Sequence, residues 1–362
     1  MRINFKRKNS VQIVLTISGS IFFHACFAKE IVSNTSTDSS CSSSEPYIPC
    51  DFPAVIYPSS NPITANKILL GRYLFYDKKL SIDFTVSCAG CHGPNRAFSD
   101  VNHFVSMGVH GLLGDRNTPS LTNVSFNNHF TWDGRFSTLE DQALGPLSSR
   151  FEMDITDSSN LQTYNIICNN LSTFSKYRNL FRNAFGDSAI TIDRIQKAIS
   201  SFERTIISGN SSYDRYNRGD NSAISTSAVR GLNLFRSDKT SCYRCHSGFN
   251  FTDQQFHSNG IQLVYKDSGR ANITKNTLDI GKFKTPSLRN VLLTPPYMHD
   301  GSYPDLLSVL QNYNAGGKRN SSQDELIRPL HLSAQDITDI IEFLKSLTDS
   351  TFINNKDFSN PW

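Results

Sequence analysis

The chain has 362 residues, of which 38% are hydrophobic, and a net charge of +4. That charge sits at the front: Arg2, Lys6, Arg7 and Lys8 have no acidic counterpart within residues 1–28, and the rest of the chain carries 32 basic and 32 acidic side chains. So even a balance excludes nucleic acid as an electrostatic partner, and the length suits about two domains.

The basic head leads into a broken apolar run over residues 11–27, closed by Cys26-Phe27-Ala28. This is the layout of a signal peptide, residues 1–28, and makes the periplasm the expected location. Ser, Gly and His interrupt the run, which falls short of the roughly 20 apolar residues of a membrane span. Lipoprotein anchoring through Cys26 fits poorly, because Phe23-His24-Ala25 precedes it. Residues 29–60 follow as a tether, Ser/Thr-rich and without apolar periodicity in its first part.

Two pentads come next in importance, Cys88-Ala-Gly-Cys91-His92 and Cys242-Tyr-Arg-Cys245-His246. In a C-x-x-C-H unit both thiols can form thioethers with haem vinyl groups, and the adjoining histidine ligates the iron. A redox dithiol or half a zinc site is the alternative, but zinc needs further close-spaced ligands that are absent. Two covalent haem c groups are therefore expected, with His92 and His246 on the two irons. Of the 8 cysteines, Cys26 leaves with the leader and four hold haem. Export allows a Cys41–Cys50 disulfide, which leaves Cys168 as an odd, buried thiol.

The chain repeats itself around the pentads. Thr118-Pro-Ser-Leu-Thr-Asn-Val124 answers Thr285-Pro-Ser-Leu-Arg-Asn-Val291, and fifteen residues beyond each Thr stands Asp133-Gly134 or Asp300-Gly301. Leu139 and Leu306 fall six residues further on, and Leu70-Gly-Arg-Tyr-Leu-Phe75 matches Arg230-Gly-Leu-Asn-Leu-Phe235. An ordered set of this kind marks a tandem duplication. The halves disagree at one telling place: thirteen residues past the Asp lies Pro146 in one and Tyr313 in the other. Proline cannot ligate iron, whereas tyrosinate can. One iron would then stay open and the other be closed.

Helical signals dominate. Ser333-Ala-Gln-Asp336 reads as a capping box before an apolar stripe at Ile337, Ile340, Ile341, Leu344 and Leu347, and a second helix is expected over 190–207. Polar, turn-rich residues 209–221 mark a boundary. The expected class is all-α: two tandem cytochrome c-like haem domains with long loops. The first covers residues 61–215 and the second 216–350; 351–362 form a tail. Met298, His103 and Met107 read as loop residues, and His129, His257 and His331 as surface positions.

Taken with Arg116-Asn-Thr-Pro119, Trp132-Asp-Gly-Arg135, Gln142, Gly145-Pro146, Glu152-Met153, Phe283-Lys-Thr-Pro-Ser-Leu-Arg-Asn290 and Pro296-Tyr-Met-His-Asp-Gly301, the chain resembles the bacterial di-haem cytochrome c peroxidase family, which includes MauG. The resemblance spans about residues 61–347. It implies that the His92 haem is peroxidatic and that Glu152 is the distal acid/base. Pro146 keeps that pocket open and Gln142 orders it. Trp132 would bridge the haems, and Asn117, Thr294 and Pro296 would hold calcium between the domains. His110 corresponds to a resting-state ligand of the first iron. Tyr313 stands where many such peroxidases carry Met and where MauG carries Tyr.

The function so implied is reduction of hydrogen peroxide to water, with electrons from a small cytochrome c or copper protein arriving through the second haem. A MauG-like oxidase acting on residues of a partner protein is the alternative, although Lys239-Thr-Ser-Cys242 lacks the Trp that MauG-type hopping uses. A di-haem electron carrier is the non-enzymatic alternative; Pro146 and Glu152 argue against it. The resemblance also allows a homodimer.

Overall fold

The computed structural model describes residues 46–100, 103–155 and 162–362. The expected signal peptide, Cys26, the start of the expected tether and Cys41 with its expected bond to Cys50 lie outside the described residues.

The first half runs through α1 (Ala65–Tyr76), the single-turn α2 (Cys88–Cys91), α3 (Leu139–Ser148), α4 (Gln162–Ser172), α5 (Ser175–Phe185) and α6 (Ile192–Glu203). The second half continues with α7 (Ser212–Asn217), α8 (Thr226–Phe235), the single-turn α9 (Cys242–Cys245) and α10 (Ala271–Thr274). It closes with α11 (Leu306–Ala315), α12 (Ala334–Ser346) and α13 (Ser350–Ile353). Among the described residues, sheet is limited to β1 (Phe256–His257) against β2 (Phe283–Lys284), antiparallel, with Phe256 facing Lys284. The expectation of a helical protein with long loops matches this architecture. No helix among the described residues is long and apolar enough to cross a membrane.

The repeat in sequence is a repeat in packing. α1 crosses α6 at Gly71, and α8 crosses α12 at the equivalent Gly231. A Cβ would lie 1.9 Å from the Ala198 carbonyl oxygen in one case and 1.9 Å from that of Asp339 in the other. Only a residue without a side chain lets these backbones approach so closely. α3 and α11 begin on the matched Leu139 and Leu306 and are capped by Thr138 and Asp305, which accept from Asp141 N at 3.1 Å and Ser308 N at 2.7 Å. Pro146 and Tyr313 are therefore the eighth residues of matching helices.

Separate apolar clusters form around these crossings. One gathers Leu74, Leu147, Phe181 and Ile199; a second gathers Leu232, Phe235, Leu310, Ile340 and Phe343. Cys168 is buried in the first, as expected of the odd thiol. A third cluster joins Phe75, Phe98 and Phe202 to Phe352 and Phe358 of the C-terminal segment. Residues 351–362 are thus not a trailing tail but a strap, tied down where Arg72 donates to the carbonyls of Lys356 and Ser359 at 2.6 and 2.7 Å.

Three further expectations change in detail. The helix sought over 190–207 starts at Ile192 behind a Thr191 cap and ends at Glu203. Within 209–221, where turns were expected, Ser211 and Asp214 form a capping box that starts α7. Residues 46–60 do not hang free: Phe52 is buried, its ring 4.6 Å from that of Phe249 and 5.9 Å from that of Phe126.

Candidate active site

Each Cys-x-x-Cys folds as one helical turn, so its two sulfurs share a face, being three residues apart. The histidine leaves the turn as its C-cap, with His92 N bonded to Cys88 O at 2.8 Å and His246 N to Cys242 O at 2.9 Å. The ring is then held from one side. His92 Nδ1 meets the Phe98 carbonyl at 2.8 Å, and His246 Nδ1 meets that of Phe251 at 3.1 Å. Such a bond places the proton on Nδ1 and presents the Nε2 lone pair to a metal. Burial pulls both imidazoles below their usual range, which keeps them neutral, the ligating form.

In the first pentad, burial pushes Cys88 well up and Cys91 up to about 12, with nearby carboxylates adding to the effect. A working redox dithiol needs the opposite, a stabilised thiolate. The His/Cys/acid cluster found among the described residues that could hold a metal is Cys245, Asp253 and His257, not a pairing of the two pentads.

A cavity of ≈ 1260 Å³ is lined by both pentads. It exceeds the roughly 300–1,000 Å³ of an ordinary small-ligand site, as two flat macrocycles would require. Its wall brings together most of the residues singled out in the sequence, Trp132, Gln142, Pro146, Glu152 and Tyr313 among them. Gln142 Oε1 is buried with no hydrogen-bond partner. Glu152 is raised above the ordinary carboxyl range by burial, and the charge of Arg135 opposes that rise. Gln142 Oε1 thus lacks a donor at the cavity wall and Glu152 favours its neutral form there, so the residues present fit a bound haem with space for a small oxygen ligand.

Trp132 donates from Nε1 to the Asn117 carbonyl at 2.8 Å, and its own carbonyl accepts from Lys284 N at 2.8 Å. That contact joins the first Asp-Gly loop to the strand leading into Thr285-Pro286. Asn117, Thr294 and Pro296 also face the cavity, and Asn117 Nδ2 donates to the Phe104 carbonyl at 2.9 Å, turning Oδ1 the other way. Tyr313 is pushed up to about 12, chiefly by burial, while a bond to Asn259 works in the other direction. Alone it is a neutral phenol; a metal would displace the proton. Met298, read as a loop residue, also reaches the cavity, its sulfur 3.3 Å from Asn259 Nδ2.

His110 is not brought to the cavity. Its side chain is 59% exposed, with Nδ1 3.7 Å from Asp83 Oδ2. The cause is local: a Cβ on Gly108 would lie 2.1 Å from the Phe151 carbonyl oxygen, and Val109 N bonds Glu152 O at 2.8 Å, so the loop is pressed onto residues 151–152. His110 itself adopts φ +56°, which turns its ring outward.

Sequence reasoning missed three side chains. His257, expected at the surface, is half-buried between Asp324 at 2.6 Å and Asp253 at 2.9 Å, and is raised to about 10, first by Cys245 and then by those acids. Lys284 lines the cavity and falls to about 8 through burial. Glu203 ends α6 against the first pentad. Only the Lys carried a signal, its place directly before the repeated Thr-Pro-Ser-Leu stretch.

A family model described as di-haem cytochrome c peroxidase matches residues 65–222. The chain is 38% identical over 293 residues to methylamine utilization protein MauG of Methylophilus methylotrophus, a match covering 80% of this chain and 84% of that one. It is 32% identical to cytochrome-c peroxidase IdrP1 of Pseudomonas sp. strain SCT, covering 85% and 88%. A crystal structure of a MauG-like protein associated with microbial copper homeostasis superposes with a TM-score of 0.82 at 34% identity, over 87% of this chain and 98% of that one.

Proposed function

The chain belongs to the di-haem cytochrome c peroxidase family, and from that premise we propose that it is an exported enzyme reducing hydrogen peroxide to water, its electrons delivered by a small periplasmic redox protein. The observation that carries the proposal is the asymmetry of α3 and α11: at one position of two matching helices, Pro146 offers nothing to a metal and Tyr313 offers an oxygen. When bound, the haem on His92 supplies an electron-rich metal that splits the O–O bond of peroxide.

The chain's own residues handle protons and access. Glu152 takes the proton of the approaching peroxide oxygen and returns it to the departing one. Gln142 Oε1, lacking a protein donor, accepts from the peroxide O–H and fixes its orientation. Pro146 keeps the space clear. Trp132 lies on the wall shared by both pentads and serves as the relay between them. Asn117, Thr294 and Pro296 offer one amide and two carbonyl oxygens, a donor set suited to calcium.

Tyr313 favours a second reading, a MauG-like oxidase that withdraws electrons from residues of a partner protein. A phenolate stabilises ferric over ferrous iron, which disfavours easy acceptance of electrons at the His246 haem. Mixing the holoprotein with peroxide and a reduced small cytochrome c separates the readings. Rapid donor oxidation is the expected result; a persistent oxidised protein without donor turnover would move the assignment to the second. For the ligand itself, Tyr313→Met should raise the midpoint potential of one haem and add a thioether-to-iron signature. Unchanged spectra would remove Tyr313 from the metal.

A further inference from the structure

Glu203 has no role in the steps above, yet its surroundings are unusual. It is 5% exposed, and Oε2 has no hydrogen-bond partner. Its carboxyl lines the cavity beside Cys88, close enough for its charge to act on that thiol. Burial pushes it up to about 8, opposed by Arg204 and reinforced by Glu140.

Arg204 is next in sequence but does not serve as a counter-ion. Its guanidinium is taken by Glu140, at 2.7 and 2.9 Å. Lys67, on the packed α1, gives its ammonium to Asn61 Oδ1 at 3.2 Å and the Pro62 carbonyl at 2.8 Å. From α2, Cys88 is near enough to feel its charge, and that sulfur is uncharged as a thioether. An acid in this position has a single variable neighbour, the redox group attached at Cys88. A carboxylate there favours the oxidised state, whose charge is one unit more positive; an added electron raises the carboxylate's affinity for a proton.

We propose that Glu203 is the redox-linked proton site of the first haem: as one electron from the donor protein arrives there, one solvent proton is taken up on the Glu203 carboxylate, and both leave on reoxidation. Charge balances at each stage, and the proton so held is distinct from the one Glu152 moves between peroxide oxygens. The proposal rests on the reading of His92 as an iron ligand.

The test is a spectroelectrochemical titration of the holoprotein at several pH values around neutrality. The first-haem midpoint should fall as pH rises, by up to ~59 mV per unit, the one-electron equivalent of a tenfold change in equilibrium constant. Glu203→Gln should flatten that slope, while Glu152→Gln should keep it. A flat wild-type profile, or a slope surviving in Glu203→Gln, overturns the proposal. Should that variant not fold, reduced-minus-oxidised infrared difference spectra of the wild type and of Glu152→Gln decide. A carboxylic-acid carbonyl band that appears on reduction and shifts in D₂O supports it, and no such band overturns it. Failure of the haem reading would show separately, as intact-protein mass lacking covalent haem.

Discussion

Glu152→Gln should leave both haems attached and slow peroxide turnover by about 10²–10⁴-fold. The substitution preserves volume and the backbone contacts that place the residue, namely Glu152 N to Ser149 O at 3.0 Å and Val109 N to Glu152 O at 2.8 Å. What it removes is the ability to take a proton and give it back. The pH profile sharpens the test. Burial holds the Glu152 carboxyl above its ordinary range, so below that raised value it is already protonated and cannot accept the peroxide proton. The wild-type rate should therefore climb as pH rises through an acid limb lying above the usual Glu range, and the Gln variant should lack that limb. Stopped-flow mixing with peroxide and reduced donor reads both quantities. Full activity in the variant would exclude Glu152 from the chemistry and return attention to Gln142, whose Oε1 has no hydrogen-bond partner.

The motifs explain why so much of this pocket could be read from the chain. The pentads are local: two sulfurs and an imidazole within five residues need one helical turn to be placed, so spacing alone defines them. Pro146 and Tyr313 were found by alignment of the halves, and the structure gives the physical basis, equal helices started by equal caps. Glu203 and His257 could not be found in this way. Each owes its character to partners far along the chain: Asp324 stands 67 residues from His257. Glu203 is made unusual by what is missing, since Arg204 beside it is claimed by Glu140 across α3. The outward turn of His110 was equally hidden, because it follows from Gly108 pressing on residues 151–152 rather than from the loop's own composition. The strap of residues 351–362 depends on aromatic burial against Phe98, which a short polar segment with two Phe does not announce.

Arg289→Met should give the largest loss of stability, about 3–5 kcal/mol, because it strands a buried carboxylate. Arg289 meets both Asp214 oxygens at 2.9 and 3.0 Å, and the side chains are 2% and 3% exposed. Its Nε also donates to the Phe249 carbonyl at 2.8 Å, and the guanidinium lies 4.7 Å from the Phe52 ring. This one cation thus ties α7, the segment after the second pentad and the N-terminal segment around Phe52 to one another. The functional consequence follows from the same segment, since Phe251, two residues past Phe249, supplies the carbonyl that orients His246. Thermal unfolding of the holoprotein should show the loss, and the absorption of the second haem should broaden or shift before that of the first. Arg230→Met is the matching control: its partner Asp339 is buried, but Arg230 is 51% exposed, so water replaces much of what is lost. Equal destabilisation by the two substitutions would mean that the Arg289 pair is an ordinary ion pair, and that the loop carrying Phe251 is held by its aromatic neighbours Tyr213, Phe235 and Phe343 instead.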